Sequence, residues 1–179
     1  MLRGMPEPEP PLVVDLDGTL IHGDSSGRAC AWLLLLRPWL VPRVLGWWLG
    51  GGRARAKAGV FHLRPPELRH LRWRGAVCTF VRDQLAQGRR VVLATGSDRR
   101  CARLVAAHLG ITAPLIASDG RINRIGPAKR EALLAAFGRG GFDYLGDSGA
   151  DLAVWAVCRR ALVVGRRDPG VPCQRRFDG

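Results

Sequence analysis

Short aliphatic and β-branched runs alternate with helical patterns along most of this chain, and that alternation limits its fold more than any other feature. Leu12 to Leu16, Arg90 to Ala94, Pro114 to Ala117, Phe142 to Leu145 and Ala161 to Val164 read as strands. Between them, Ala76 to Gln87 sets Ala76, Val77, Phe80, Val81 and Leu85 on one helix face, and Asp98 to Leu109 does the same with Cys101, Ala102, Leu104, Val105 and Leu109. Ala128 to Phe137 and Leu152 to Cys158 read as two more helices. Strands and helices in this rhythm predict an α/β fold: a mainly parallel sheet covered on both faces and joined by right-handed crossovers.

One interval breaks the rhythm. About 58 residues separate the first strand from the helix near Ala76, far more than a simple crossover uses. An inserted subdomain accounts for them. The expected organisation is a disordered leader over 1–11, a core over 12–21 and 74–165, a mainly helical cap over 22–73, and a flexible tail over 166–179. The chain of 179 residues, 47% apolar and 24% charged, is large enough to hold such a core without disulfides or structural metals.

The insert is unusual in composition. From Ala29 to Gly52 it reads ACAWLLLLRPWLVPRVLGWWLGGG, yet Arg37, Pro38, Pro42 and Arg43 interrupt it, which argues against a continuous membrane span. A buried helical hairpin fits, and so does one lying on a membrane surface. Trp32, Leu33, Leu36, Trp39, Leu40, Leu45 and Trp48 either form the cap's core or line an apolar surface. Basic residues total 28 against 15 acidic, and all but Lys57 and Lys129 are arginine. Ten basic residues and one acidic fall between Arg28 and Arg74, so this segment is where an anionic partner is expected. No nucleic-acid recognition motif accompanies the basic run from Arg53 to Lys57, which argues against that class of partner.

Five cysteines without a CxxC pair fit reduced thiols, and the N-terminus carries acids and prolines where a signal peptide would be apolar. A cytoplasmic protein, in one version peripheral at the inner membrane face, is expected.

The chemistry-bearing residues gather where an open α/β sheet places its active site, beyond the carboxyl ends of the strands. The first strand runs into Asp15, Leu16, Asp17, Gly18 and Thr19; the second into Thr95, Gly96 and Ser97. Lys129 opens the helix after the third, and Gly146, Asp147, Ser148, Gly149, Ala150 and Asp151 follow the fourth. Singly, each has a plain reading as a turn, a helix cap or a surface residue. Together the DLDGTL, VVLATGS, Lys129 and GDSGAD motifs resemble the haloacid dehalogenase-like phosphohydrolases, over about Leu12 to Val164. The stretches IHGDS, RPWL, GRRVVLATGSDRR, VAAHLGI, ASDG and GFDYLGDSGADLAVW look most like the domain of that superfamily joined to bacterial UbiA-type prenyltransferases. No multi-span region follows them, so a stand-alone relative or a separated component is expected. The resemblance implies a three-layer, Rossmann-like sheet of order 3-2-1-4-5 with the cap inserted after strand 1.

Hydrolysis of a phosphomonoester needs an in-line nucleophile, neutralisation of phosphoryl charge and protonation of the leaving oxygen. Asp15 at a strand end suits the nucleophile, forming an aspartyl phosphate, and Asp17 suits the general acid and base. Asp147 with Asp15 offers hard oxygen ligands for Mg2+, the backbone carbonyl of Asp17 joins them by resemblance, and Asp151 is a direct or supporting ligand. Lys129 supplies counter-charge. Thr95 and the amides near Gly96 hold the phosphoryl group, and Gly18 makes the tight turn. The expected function is a Mg2+-dependent phosphatase acting on a phosphorylated small molecule, in its sharper form an isoprenyl or other lipid phosphate. The alternative is a non-catalytic regulatory module docked on a membrane prenyltransferase or anionic surface.

Overall fold

The computed structural model describes residues 9–179, so residues 1–8 of the expected disordered leader lie outside the described residues, whereas its last residues are held on the core: Pro10 O accepts from Arg89 at 2.9 and 3.0 Å and Pro11 O from Asp143 N at 3.0 Å. The core is a parallel sheet of order β3-β2-β1-β4-β5-β6. The strands are β1 (Leu12–Val14), β2 (Val91–Asp98), β3 (Ile116–Ser118), β4 (Asp143–Gly146), β5 (Arg160–Val164) and β6 (Cys173–Phe177). β1 lies between β2 and β4, pairing Val13 with Val92 and Tyr144, so the five expected strands stand in the expected order.

Every residue of β1 is buried because both faces are covered. Leu12, Val14, Val91 and Leu93 join the cluster that contains Val77 and Val81 of helix α3 (Gly75–Ala86) and Cys101 and Val105 of α4 (Arg99–Leu109). Val13, Val92 and Tyr144 point the other way. They meet Leu133 of α5 (Pro127–Phe137) and Val154 and Trp155 of α6 (Leu152–Trp155). Adjacent strand residues thus serve opposite layers, the period-2 geometry of a pleated strand. Truncating a fully buried residue such as Leu93 to Ala would cost about 2–5 kcal/mol.

Two segments depart from expectation. β2 continues beyond Ala94 to Asp98, with Thr95 opposite Ala117, Asp98 opposite Ser118 and a register irregularity between them. Asp98 then caps α4, accepting from Arg100 N at 2.9 Å. The tail over 166–179, expected to be flexible, carries β6. Phe177 packs on Phe80 with ring centroids 5.2 Å apart, and the Arg175 guanidinium lies over both rings. This edge strand exposes Cys173 to Arg176 and buries Phe177, so it shows no alternation that a sequence pattern would register.

The insert holds α1 (Ser25–Leu36), a turn of 3-10 helix at Pro38–Leu40, and α2 (Val41–Leu63). Asp24 caps α1, its carboxylate accepting from Ser26 N at 2.8 Å. α2 is broken at Gly51 and Gly52; Gly52 has φ +63°, a conformation costly for other residues. An antiparallel bridge between Ile21 and Trp73 draws the two connecting strands of the insert together. Of the residues expected either as cap core or as apolar surface, Leu33 is buried and Leu40 half-buried. Trp32, Leu36, Trp39, Leu45 and Trp48 are exposed. The cap-core reading therefore fails for most of them: two helices and a 3-10 turn offer too little opposing surface to cover residues that are apolar on every side.

Candidate active site

Asp15 is the first residue beyond β1, and its N–H donates to Leu145 O at 2.9 Å, which extends the β1–β4 pairing and fixes the side chain at the sheet edge. Lys129 reaches it from the first turn of α5, where Pro127 begins the helix. Lys129 Nζ lies 3.0 Å from Asp15 Oδ1 and 3.1 Å from Asp151 Oδ1, and it donates to the Tyr144 hydroxyl at 2.8 Å. Burial alone would depress the ammonium, but attraction to the two carboxylates outweighs it and raises the lysine above its ordinary value. Asp15 is itself shifted upward by burial, against the pull of Lys129 and with the help of Asp151 and Asp17.

Asp151 is fully buried and heavily bonded. Its Oδ1 accepts from Lys129 and from the Tyr144 hydroxyl at 2.6 Å; its Oδ2 accepts from Asp147 N at 3.2 Å, Ser148 N at 3.1 Å and Ser148 Oγ at 3.0 Å. The turn Gly149–Asp151 closes a capping box that holds this arrangement. Burial would raise this carboxyl, yet Lys129 and these hydrogen bonds hold it below the ordinary range.

Asp15, Asp147 and Asp151 present carboxylate oxygens within 4.8 Å of one another. Such hard donors suit a divalent cation. The five donors on Asp151 occupy its oxygens, whereas Asp15 and Asp147 keep free lone pairs, so these two fit direct ligation and Asp151 fits a positioning role. Asp147 accepts from Thr19 Oγ1 at 3.3 Å, and burial together with Asp151 lifts its carboxyl to about 6. Beside it Gly18 has φ +79°, and a Cβ there would stand 2.1 Å from Asp147 Oδ2. Arg74 Nε donates to Gly18 O at 2.9 Å and fixes the turn. Glycine is required both for the turn and for the space the carboxylate occupies.

Asp17 faces the cap. Its Oδ1 accepts from Ser25 N at 2.7 Å and its Oδ2 from Ser97 Oγ at 2.7 Å, and burial raises its carboxyl despite these bonds. Its side chain stands apart from the three clustered carboxylates, which leaves only its backbone for the ligand role the resemblance implied. Ser97 Oγ is bonded in turn to the hydroxyls of Ser25 and Ser26.

The cleft over these groups is lined by Asp15, Asp17, Asp24, Arg53, Lys57, Gly96, Ile125, Lys129, Ser148 and Ala150. Thr95 is not among them. It is fully buried, and its hydroxyl accepts from Ser97 N at 2.9 Å, behind the cleft wall. Gly96 does line the cleft; a Cβ there would meet Ile125 Cγ1 at 2.4 Å. His22 sits at the cap junction, where its N–H donates to Arg72 O at 2.7 Å and its carbonyl accepts from Arg28.

Tyr144 and Lys57 escape a reading of the sequence as site residues, and Ser97 is legible at the strand end but not its role. Tyr144 lies in a strand that reads only as core, though it is the single tyrosine of the chain. Ser97 lies beyond the apparent end of its strand. Lys57, on α2, donates to Gly96 O at 2.7 Å and Asn123 Oδ1 at 3.3 Å, so both lysines of an arginine-rich chain line the cleft.

Comparison with known proteins agrees with this geometry. The family model for haloacid dehalogenase-like hydrolases matches residues 12–156. An uncharacterised protein of Sinorhizobium fredii, y4nM, is 32% identical over 155 residues, which are 87% of this chain and 30% of that protein. The chain thus spans about a third of the length of this relative. Among solved structures, a protein of unknown function from Bordetella pertussis superposes with a TM-score of 0.63 at 19% identity, covering 86% of this chain and 88% of that one. A substrate-bound phosphoserine phosphatase gives 0.63 at 10% identity, covering 96% and 94%. The deoxy-D-mannose-octulosonate 8-phosphate phosphatase of Haemophilus influenzae, in its cobalt-bound form, gives 0.53 at 14%, covering 93% and 75%. The structures are similar in fold, while the family match extends from β1 through the GDSGAD turn, and on that match the chain belongs to the haloacid dehalogenase-like hydrolases.

Proposed function

We propose that the protein is a Mg2+-dependent phosphomonoester hydrolase that works through an aspartyl phosphate on Asp15. The observation that carries this reading is the 3.0 Å approach of Lys129 to Asp15 within the carboxylate cluster. A lysine paired to the nucleophile neutralises charge where a phosphoryl group arrives, without removing the second carboxylate oxygen. That oxygen attacks phosphorus, forming the Asp15–phosphate bond as the ester P–O bond breaks. Asp17, held by Ser97 and Ser25 and raised by burial, gives its proton to the leaving oxygen. It then takes a proton from the water that attacks the acyl phosphate, releasing inorganic phosphate and restoring Asp15. Mg2+, held by Asp15, Asp147 and the Asp17 carbonyl, would offset phosphate charge when bound. Gly96 meets the phosphoryl group, while Thr95 supports that wall from behind.

A lipid phosphate, isoprenyl or other, is favoured by one further feature. A groove between α1 and α2, lined by Cys30, Val44, Trp48 and Val60, shares Asp24, Arg53 and Lys57 with the cleft. An apolar chain in that groove would leave its phosphate at Asp15. The sequence resemblance supports proposing a prenyltransferase partner, and the unpaired cysteines with the apolar, basic insert support proposing a cytoplasmic place at the inner membrane face. The close Lys129–Asp15 pair weighs against the alternative of a regulatory module without catalysis.

The test is turnover by the purified protein with Mg2+ on small phosphomonoesters and on isoprenyl monophosphates, with Asp15→Asn as the control. The variant should be inactive and folded, because Lys129 keeps Asp151 as its counter-ion. Asp17→Asn should slow esters with poor leaving groups most. Activity retained in Asp15→Asn, or full activity in excess EDTA, would defeat the reading.

A further inference from the structure

The tip of the insert is an apolar surface without a cover among the described residues. Leu35, Trp39 and Leu49 are 74%, 70% and 76% exposed. Trp32, Leu35, Leu36 and Trp39 recur at three- and four-residue spacing along α1 and the following turn, and Val41, Leu45, Trp48 and Leu49 do so on α2, so each segment presents an apolar stripe. Exposed aliphatic and aromatic side chains in this number mark an interaction surface.

We propose that this tip seats on an anionic lipid bilayer. Its chemistry selects that occupant. From Ala29 to Leu63 there is no Asp, Glu, Asn, Gln, Ser or Thr, so beside its apolar groups the surface offers only Arg, Lys, Cys and His62. A protein interface of ordinary size uses about one hydrogen bond per 100–200 Å2 and a mixed polar rim; here the side chains supply donors from Arg and Lys but no carboxylate, amide or hydroxyl acceptor, so an occupant must bring all the anionic groups itself. An anionic bilayer does so. Apolar side chains enter the acyl boundary, tryptophans lie at headgroup depth, and Arg37 and Arg43 meet lipid phosphates.

Shape agrees with an interfacial position. No single described helix is long and apolar enough to cross a membrane; α1 and α2 pass that test only as a pair, and the pair is bent by 118°. The 12 residues of α1 extend about 18 Å, short of the ~30 Å apolar thickness of a bilayer. A bent hairpin of this kind lies in the interface plane. Past the break at Gly51 and Gly52, Arg53 and Lys57 line the catalytic cleft, so the surface and the cleft lie on the two sides of one kink in α2.

The experiment is co-sedimentation of the whole protein with phosphatidylcholine vesicles, with and without phosphatidylglycerol. We expect pelleting with the anionic vesicles, weakened as salt rises, and little with phosphatidylcholine alone. Leu35→Ser, Trp39→Ser and Leu49→Ser combined should weaken partition at least about tenfold, with melting and turnover of a small soluble phosphomonoester unchanged. Arg37→Gln should weaken anionic binding about fivefold, as should Arg43→Gln. Absence of pelleting at low salt, or undiminished pelleting of the triple variant, would overturn the proposal. So would a dimer in light scattering that the triple variant abolishes, which would assign the surface to a second copy. Sedimentation requires no turnover, so its result stands apart from that of the hydrolase assay.

Discussion

The Tyr144 hydroxyl donates to Asp151 at 2.6 Å and accepts from Lys129 at 2.8 Å, so one strand residue ties the buried carboxylate to the buried ammonium. Tyr144→Phe keeps the ring and deletes that tie. Two buried charged groups then each lose a partner, and the expected cost is about 1–3 kcal/mol of stability, read by urea denaturation. Lys129 loses orientation toward Asp15, and turnover should fall by about one order of magnitude, equivalent to ~1.4 kcal/mol on the barrier, with KM nearly unchanged.

Removing a carboxylate from the cluster separates metal binding from folding. Mg2+ should raise the melting temperature of the parent protein, by about 2.7 kcal/mol of added stability at a hundredfold excess over Kd. Asp147→Ala should lose that response and, without metal, melt higher than the parent, because burial and Asp151 both oppose ionisation at this position. Gly18→Ala should also lose the response, but should melt lower, since its Cβ would displace Asp147 and its φ of +79° is strained for alanine. Equal melting of all three proteins in Mg2+ would reject the ligand assignment.

Acid stability should depend on Asp143, which begins β4 and is not part of the carboxylate cluster beyond its end. Burial by itself would raise its carboxyl, but the guanidiniums of Arg159 and Arg89 prevail and hold it below the ordinary carboxylate value. Arg159 contacts it at 2.7 and 2.8 Å, and Arg89 forms one further charge-assisted hydrogen bond to the same carboxylate. The folded state therefore binds fewer protons here than the unfolded state. This contribution is fully present above the unfolded value of about 3.9 and is lost as pH falls through the lower folded value. Asp143→Asn should flatten the acid limb of the stability curve and lower stability at neutral pH, leaving Arg89 with only the exposed Glu9 as a carboxylate partner. Urea midpoints from neutral to strongly acidic pH would show this; an unchanged acid limb would contradict it.

Lys57 joins the insert to the core through Gly96 and Asn123. Lys57→Met preserves much of the stem and removes those bonds and a positive charge facing the cleft. KM for a phosphomonoester should rise about tenfold with a smaller change in kcat, since the lysine lies beside the reacting groups of the opposite wall. A fall in kcat alone would place Lys57 in the chemical step instead.

The alternation of strands and helices, the inserted segment and the four polar turns are all legible in the sequence, because each depends on local spacing and on glycines that close turns. Asp15, Lys129, Asp147 and Asp151 come together as the strand-end rule requires, since a parallel sheet brings every carboxyl end to one edge. Other features depend on which element covers which. Tyr144 reads as an ordinary core residue until α5 places Lys129 over it, and Thr95 reads as a phosphate ligand until β2 continues past it and turns Ser97 toward Asp17. β6 has no alternating pattern, because a single buried Phe177 holds an otherwise exposed edge. The apolar insert is the sharpest case. A run of tryptophan and leucine has the same hydropathy whether neighbours cover it or leave it open, so only the tertiary structure decides that Trp39 and Leu49 face outward.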